Sequence, residues 1–267
     1  MNSEKSKLHM VLSKQELYEF LEEKHDRYNR TSFIENDPIS IPHFFDKKED
    51  IEIAGFLTAI IAWGQRPTII NNAKKLIKWM GDSPHDFIIN AQDTDLKIFE
   101  NFTHRTFKGI DCVYFIKSLQ NIYKNHGGLE AVFNKFANGN DKNLKNAITG
   151  FRSVFFELPY PARTLKHISD PAANSAAKRI NMFLRWMVRK DNRGVDFGIW
   201  DRIKMSQLCC PLDIHTGTVA RKLGLLQRKQ SDWKAVTELT EKLREFDPAD
   251  PVKYDFALFG LGMVEKF

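Results

Sequence analysis

Apolar positions recur every three to four residues through most of the 267-residue chain, the period of amphipathic helices rather than of strands. Ser13-Lys-Gln-Glu16 is a capping-box pattern and opens a helix to about Tyr28, with Leu17, Phe20 and Leu21 on one face. The stretch from Tyr28 to Phe45 carries Pro38 and Pro42 and reads as an extended connection. Helical runs follow at about 50–63, 67–80, 83–89 and 111–125, with Pro67 suited to a first turn. Gly127-Gly128 breaks the pattern before 129–136, and the polar loop Asn138–Asp141 breaks it before 144–155. Beyond the turn Leu158-Pro-Tyr-Pro161, further helices are expected at about 175–189, 214–223, 231–246 and 251–261. Asp213 and Asp250 stand where caps are needed. With no alternating run, internal repeat or long linker, the pattern predicts an all-α protein. It predicts one unit over residues 1–267, in which two interleaved lobes can flank a cleft and the helix at about 13–28 is peripheral.

Hydrophobic residues are 42% of the chain and charged residues 28%, which excludes wholesale disorder and low-complexity classes. No apolar run reaches the roughly 18–20 residues that cross a bilayer. Met1–Met10 has neither an apolar core nor a small-residue cleavage site, so a cytoplasmic, membrane-free protein is expected. Cys112, Cys209 and Cys210 are an odd number with two adjacent, which argues against a disulfide framework and against a four-thiolate metal site.

The charge distribution narrows the function. The chain has a net charge of +6, and the segment Arg163–Arg193 carries all of it, with eight basic residues against Asp170 and Asp191. Such concentration is the footprint of a polyanion site, although a solvated basic face looks the same in sequence. On a helical wheel for 175–189, Lys178, Asn181, Arg185 and Arg189 fall on one side. Ile180, Phe183, Leu184 and Met187 fall on the other. Lys178 would lie in the first turn, where the helix dipole and neighbouring Arg179 and Arg185 disfavour positive charge. That lowers an amine's pKa and makes it nucleophilic. A solvated or phosphate-contacting lysine is the alternative. Asp213, as a cap, would be held ionised by backbone donors and could stabilise a developing cationic sugar. His215 has no second histidine at ligand spacing, so no metal or other cofactor is expected.

Pro211-Leu-Asp-Ile-His-Thr-Gly-Thr-Val-Ala-Arg-Lys-Leu-Gly-Leu-Leu226 resembles the V-D-T-H-V-x-R-V-x-x-R-L-G-L segment of the helix-hairpin-helix DNA glycosylase superfamily. The resemblance implies that Asp213 is the catalytic carboxylate. Lys178, in Ser-Ala-Ala-Lys-Arg-Ile-Asn-Met-Phe and 35 residues upstream, is similarly placed to the lysine of archaeal-type 8-oxoguanine glycosylase/lyases. The block Ile53 to Thr68 resembles the superfamily's early L-L-S-x-Q helix end, with Gln65 matching the glutamine that fills the gap left by an extruded base. The usual Gly-rich hairpin is missing. His167-Ile-Ser-Asp-Pro-Ala-Ala-Asn-Ser175 stands in its place, leaving Asn174, Ser175 and helix-start amides to hold a phosphate. The chain from about Asp37 onward also resembles a bacterial family of unknown function, through RINMFLRWMVR, GVDFGIW and YDFALFGLG.

The resemblance implies a two-lobed helical fold and a monomer that acts on double-stranded DNA containing a damaged base. Lys178 would be the Schiff-base nucleophile and Asp213 the carboxylate, acting on an oxidised purine such as 8-oxoguanine. Gln65, Arg66, Asn174, Ser175, Arg179, Asn181, Arg185, Arg189 and His215 would contact nucleic acid. Trp63, Trp186 and Trp200 would stack on the flipped base or wedge into the duplex, core packing being the alternative for each. Two other readings stay open. One is a non-catalytic helical DNA-binding protein; the other is a monofunctional glycosylase that uses water activated by Asp213.

Overall fold

Helices form where the apolar period runs and end where proline, glycine or short polar residues interrupt it. The computed structural model describes residues 12–267, so the leader reading at Met1–Met10 lies outside it. The helices are α1 (Lys14–Tyr28), α2 (Lys48–Ile60), α3 (Arg66–Trp79), α4 (Pro84–Asn90), α5 (Gly109–Asn125), α6 (Leu129–Phe136), α7 (Lys145–Phe155), α8 (Lys178–Val188), α9 (Ile214–Lys222), α10 (Trp233–Arg244) and α11 (Tyr254–Met263). A two-residue hairpin, β1 (Thr103–His104) against β2 (Phe107–Lys108), was not expected. The fold is all-α. Residues 28–45, read as extended, instead coil into short 3-10 turns at Thr31–Asn36, Pro38–Ser40 and Pro42–Phe44. A proline starts each of the last two, where its missing N–H is harmless.

The capping box at Ser13 and Glu16 forms in full. α2 is buried from Ile51 through Ile60, as expected of a helix apolar around its circumference. Its one buried acid, Glu52, accepts hydrogen bonds from Tyr123 Oη and Trp200 Nε1, both at 2.7 Å. Trp200 is therefore a core residue and not a stacking platform. It packs against Phe133 and Phe183.

Two groups of helices share this core. α2 packs on α3, α4 and α8, and α5 on α4, α6 and α7. α1, α9 and α11 form a second group that joins the two ends of the chain. The helix expected to be peripheral is integral to it. Gly260 is bare where the Tyr28 ring lies, and a Cβ there would sit 2.2 Å from Tyr28 Cδ2. Asp250 stands at the start of the Pro251–Lys253 3-10 turn, as expected, but its side chain makes no capping bond and goes to Arg189 instead. The three cysteines are buried and unbridged. Among the described residues no helix is long and apolar enough to cross a membrane.

Candidate active site

Asp213 is positioned by the helix it starts. Buried Pro211 and Leu212 lead into it, and its Oδ1 accepts the Thr216 N–H at 2.9 Å as the N-cap of α9. Among the described residues no hydrogen bond occupies Oδ2. Lys178 is the first residue of α8. The chain reaches it through two left-handed residues, Asn174 (φ 62°) and Ala177 (φ 45°). Asn tolerates this region and alanine does so only at a cost, so the turn is built without the expected glycine.

These two elements bring Lys178 Nζ to 4.0 Å from Asp213 Oδ2, with the side chains 26% and 23% exposed. Nζ also lies 3.5 Å from Met182 Sδ. Both groups line a cavity of about 530 Å³, within the range of small-molecule pockets. Its apolar wall includes Phe33, Trp63, Met182, Trp186 and Phe259, and its polar groups include Asp37, Arg66, Arg179, Arg185 and Asp255. Burial raises the Asp255 carboxyl to about 6, against the pull of the Arg185 guanidinium bonded to it. Burial likewise raises Asp37, opposed by Arg66.

Trp63 is a fixed wall. Arg179 lies over its ring at 4.7 Å, His167 stacks at 6.1 Å and His104 meets it edge-on at 5.0 Å. Arg179 donates to the Ile60 carbonyl, and burial lowers its pKa to about 10. Arg66 lies 4.9 Å over Phe259. His215 is exposed beside Asp213 at the cavity. Gln65 is exposed at the start of α3, next to the lining residues Gly64 and Arg66. Asn174 donates to Asp232, whose backbone pairs with Ser175. This holds the turn before α8, with an acid where a phosphate was expected.

The basic stripe is corrected. Arg185 is buried and bonded to Asp196 and Asp255, while Arg189 is buried and bonded to Asp191, Asp196 and Asp250. Neither is open to a phosphate backbone. Asn181 is buried and donates to the Ala176 carbonyl. Trp186 is fully buried and forms cavity wall rather than an exposed wedge. Arg163 pairs with Asp111, and Arg193 with Asp26. Among the described residues only Lys166, Arg179 and Lys190 of this segment lack a carboxylate within ion-pair distance.

Sequence reasoning missed Asp37, Asp255, Phe33 and Phe259. Asp255 had a signal, since it is an acid inside the otherwise apolar Tyr254-Asp-Phe-Ala-Leu-Phe, where burial without a partner is costly. Asp37 lies in the stretch whose prolines read as an extended connection, which gives an acid no marked role. Among the described residues no group of three or more His, Cys, Asp or Glu side chains is placed to hold a metal ion.

Fold and site together define a helical protein with an amine–carboxylate pair on the wall of an aromatic cavity. The chain belongs to the family described as Protein of unknown function (DUF2400), whose model matches residues 37–264. No curated protein and no solved structure matches it significantly.

Proposed function

We propose that this protein is a DNA base-excision glycosylase with AP lyase activity on an oxidised purine such as 8-oxoguanine. The observation that carries the reading is the approach of Lys178 Nζ to within 4.0 Å of Asp213 Oδ2 at a cavity large enough for one base. The partner is double-stranded DNA bearing a damaged base, bound by a monomer in the cytoplasm. The damaged nucleotide rotates out of the stack into the cavity, as chemistry on a base requires. Asp213 takes a proton from the Lys178 ammonium, and the freed amine attacks C1′. The C1′–base bond breaks, its electron pair leaves with the base, and Asp213 passes to the base the proton it took from Lys178. Asp213, returned to its carboxylate form as that proton leaves, faces the positive charge that develops on the sugar. Opening of the sugar leaves an imine between C1′ and Nζ, and loss of a C2′ proton expels the 3′-phosphate.

Borohydride reduces that imine to a stable cross-link. Wild-type protein with a duplex containing 8-oxoguanine is expected to give a trapped complex, and Lys178→Gln none. A Lys178→Gln protein that cross-links as well as wild type would remove Lys178 from the mechanism.

A further inference from the structure

Asp37 presents an unpaired carboxylate oxygen on the cavity wall. Its backbone is extended (φ −119°, ψ 150°), and Oδ1 accepts the Ile39 N–H at 3.1 Å, starting the Pro38–Ser40 turn. That bond fixes the carboxylate and leaves Oδ2 over. Among the described residues no donor hydrogen-bonds to Oδ2; Arg66 Nη2 stands at 3.7 Å, beyond hydrogen-bond length. The side chain is nevertheless only 10% exposed. A hydrogen bond to the free oxygen of a carboxylate in so largely buried a side chain is charge-assisted and correspondingly strong. Asp255, the other buried carboxylate of the cavity, already has its guanidinium from Arg185. The unfilled position is Asp37, with Arg66 beside it lying on the Phe259 ring.

A carboxylate and a guanidinium side by side present acceptors next to donors. The complementary ligand edge carries one acceptor followed by two donors. Among bases this is the guanine edge, with O6, N1–H and N2–H2. Adenine and cytosine have a single donor group on this edge, which leaves one carboxylate oxygen without a ligand donor. Uracil and thymine flank their single N–H with carbonyls, which would face the carboxylate oxygens. We propose, on the glycosylase reading given above, that Asp37 and Arg66 select a guanine-derived lesion by its Watson–Crick edge. Arg66 faces O6, Asp37 Oδ2 accepts from N1–H, and Oδ1 accepts from N2–H2 through the lone pair that the Ile39 N–H leaves open.

The alternative is that Asp37 only caps its turn, a role that an asparagine fills equally well through its carbonyl oxygen. Single-turnover base release from otherwise identical duplexes separates the two. Wild-type protein is expected to release 8-oxoguanine at least about tenfold faster than 8-oxohypoxanthine, which lacks only the 2-amino group, because a site built to accept that N–H is left unpaired. In Asp37→Asn the preference is expected to shrink below about threefold, since the carboxylate that reads the amino group is gone. Equal release of the two bases by wild-type protein overturns the assignment without any variant and leaves the glycosylase reading standing. An undiminished preference in Asp37→Asn also overturns it. Failure to release any base overturns both.

Discussion

Replacing Arg189 by methionine separates a buried ion network from a DNA-contacting stripe. The guanidinium is 1% exposed. It lies 2.9 Å from Asp250, 3.1 Å from Asp196 and 2.7 Å from Asp191. Methionine fills similar space but leaves these three carboxylates without this counter-charge. Removing one partner of a buried pair costs about 3–5 kcal/mol. At about 2–4 °C per kcal/mol for a chain near this size, the melting temperature should fall by about 6–20 °C. A surface arginine would cost under about 0.5 kcal/mol, and its loss would instead weaken DNA binding and flatten the salt dependence by about one contact. Thermal and urea denaturation at pH 7, with DNA titrations at several salt concentrations, read both quantities. An Arg189→Met protein that melts within about 1 °C of wild type while binding DNA with a reduced salt slope would refute the buried-network argument.

The cap role and the chemical role of Asp213 come apart by substitution. Asparagine caps about as well as aspartate, whereas alanine costs about 1 kcal/mol, so Asp213→Asn should match wild-type stability and Asp213→Ala should not. Both should slow base release by about a hundredfold or more, and wild-type excision by Asp213→Asn would exclude the carboxylate from the reaction. Asp255 links stability to pH. Its carboxyl is raised from 3.8 to about 6 by burial, so the folded chain binds that proton more tightly than the unfolded one. Its contribution to stability is lost as pH rises from about 4 through 6. The stability of Asp255→Asn relative to wild type should therefore grow by about 3 kcal/mol between pH 4 and 7; a flat difference in paired urea titrations would contradict this. Ala177 is held at φ 45°, a conformation costing alanine about 1–2 kcal/mol. Glycine removes that strain but loses about 0.8 kcal/mol of methyl burial and 0.4–1 kcal/mol through the unfolded chain. Ala177→Gly should thus be near neutral. Ala235→Gly, at a buried position inside α10, should cost about 2 kcal/mol, and equal losses in the two variants would show that Ala177 is unstrained.

Helices were legible because their signals are local. The Ser13–Glu16 box, the Gly127-Gly128 break and the Asp213 cap each act within a few residues, and each falls where the sequence places it. Lys178 and Asp213 were legible for the same reason, since one begins a helix and the other precedes one. Their meeting at 4.0 Å is tertiary, and the resemblance rather than the spacing anticipated it. Charge was misread because ion pairing ignores sequence distance. The paired basic residues of Arg163–Arg193 meet Asp26, Asp111, Asp196, Asp213, Asp250 and Asp255, all outside that segment. A helical wheel sorts side chains by direction. It could not show that the polar side of α8 faces the carboxylates Asp196 and Asp255 rather than water. The same helix therefore serves two purposes. Its first turn presents Lys178 to the cavity, while Arg185 and Arg189 anchor its C-terminal half to acids on the segments that follow and on α11. An amine that must meet one carboxylate at a fixed distance needs such an anchor, because first and last turns of an 11-residue helix move together. Arginines expected to hold DNA act on the cavity from behind, by fixing the element that carries Lys178.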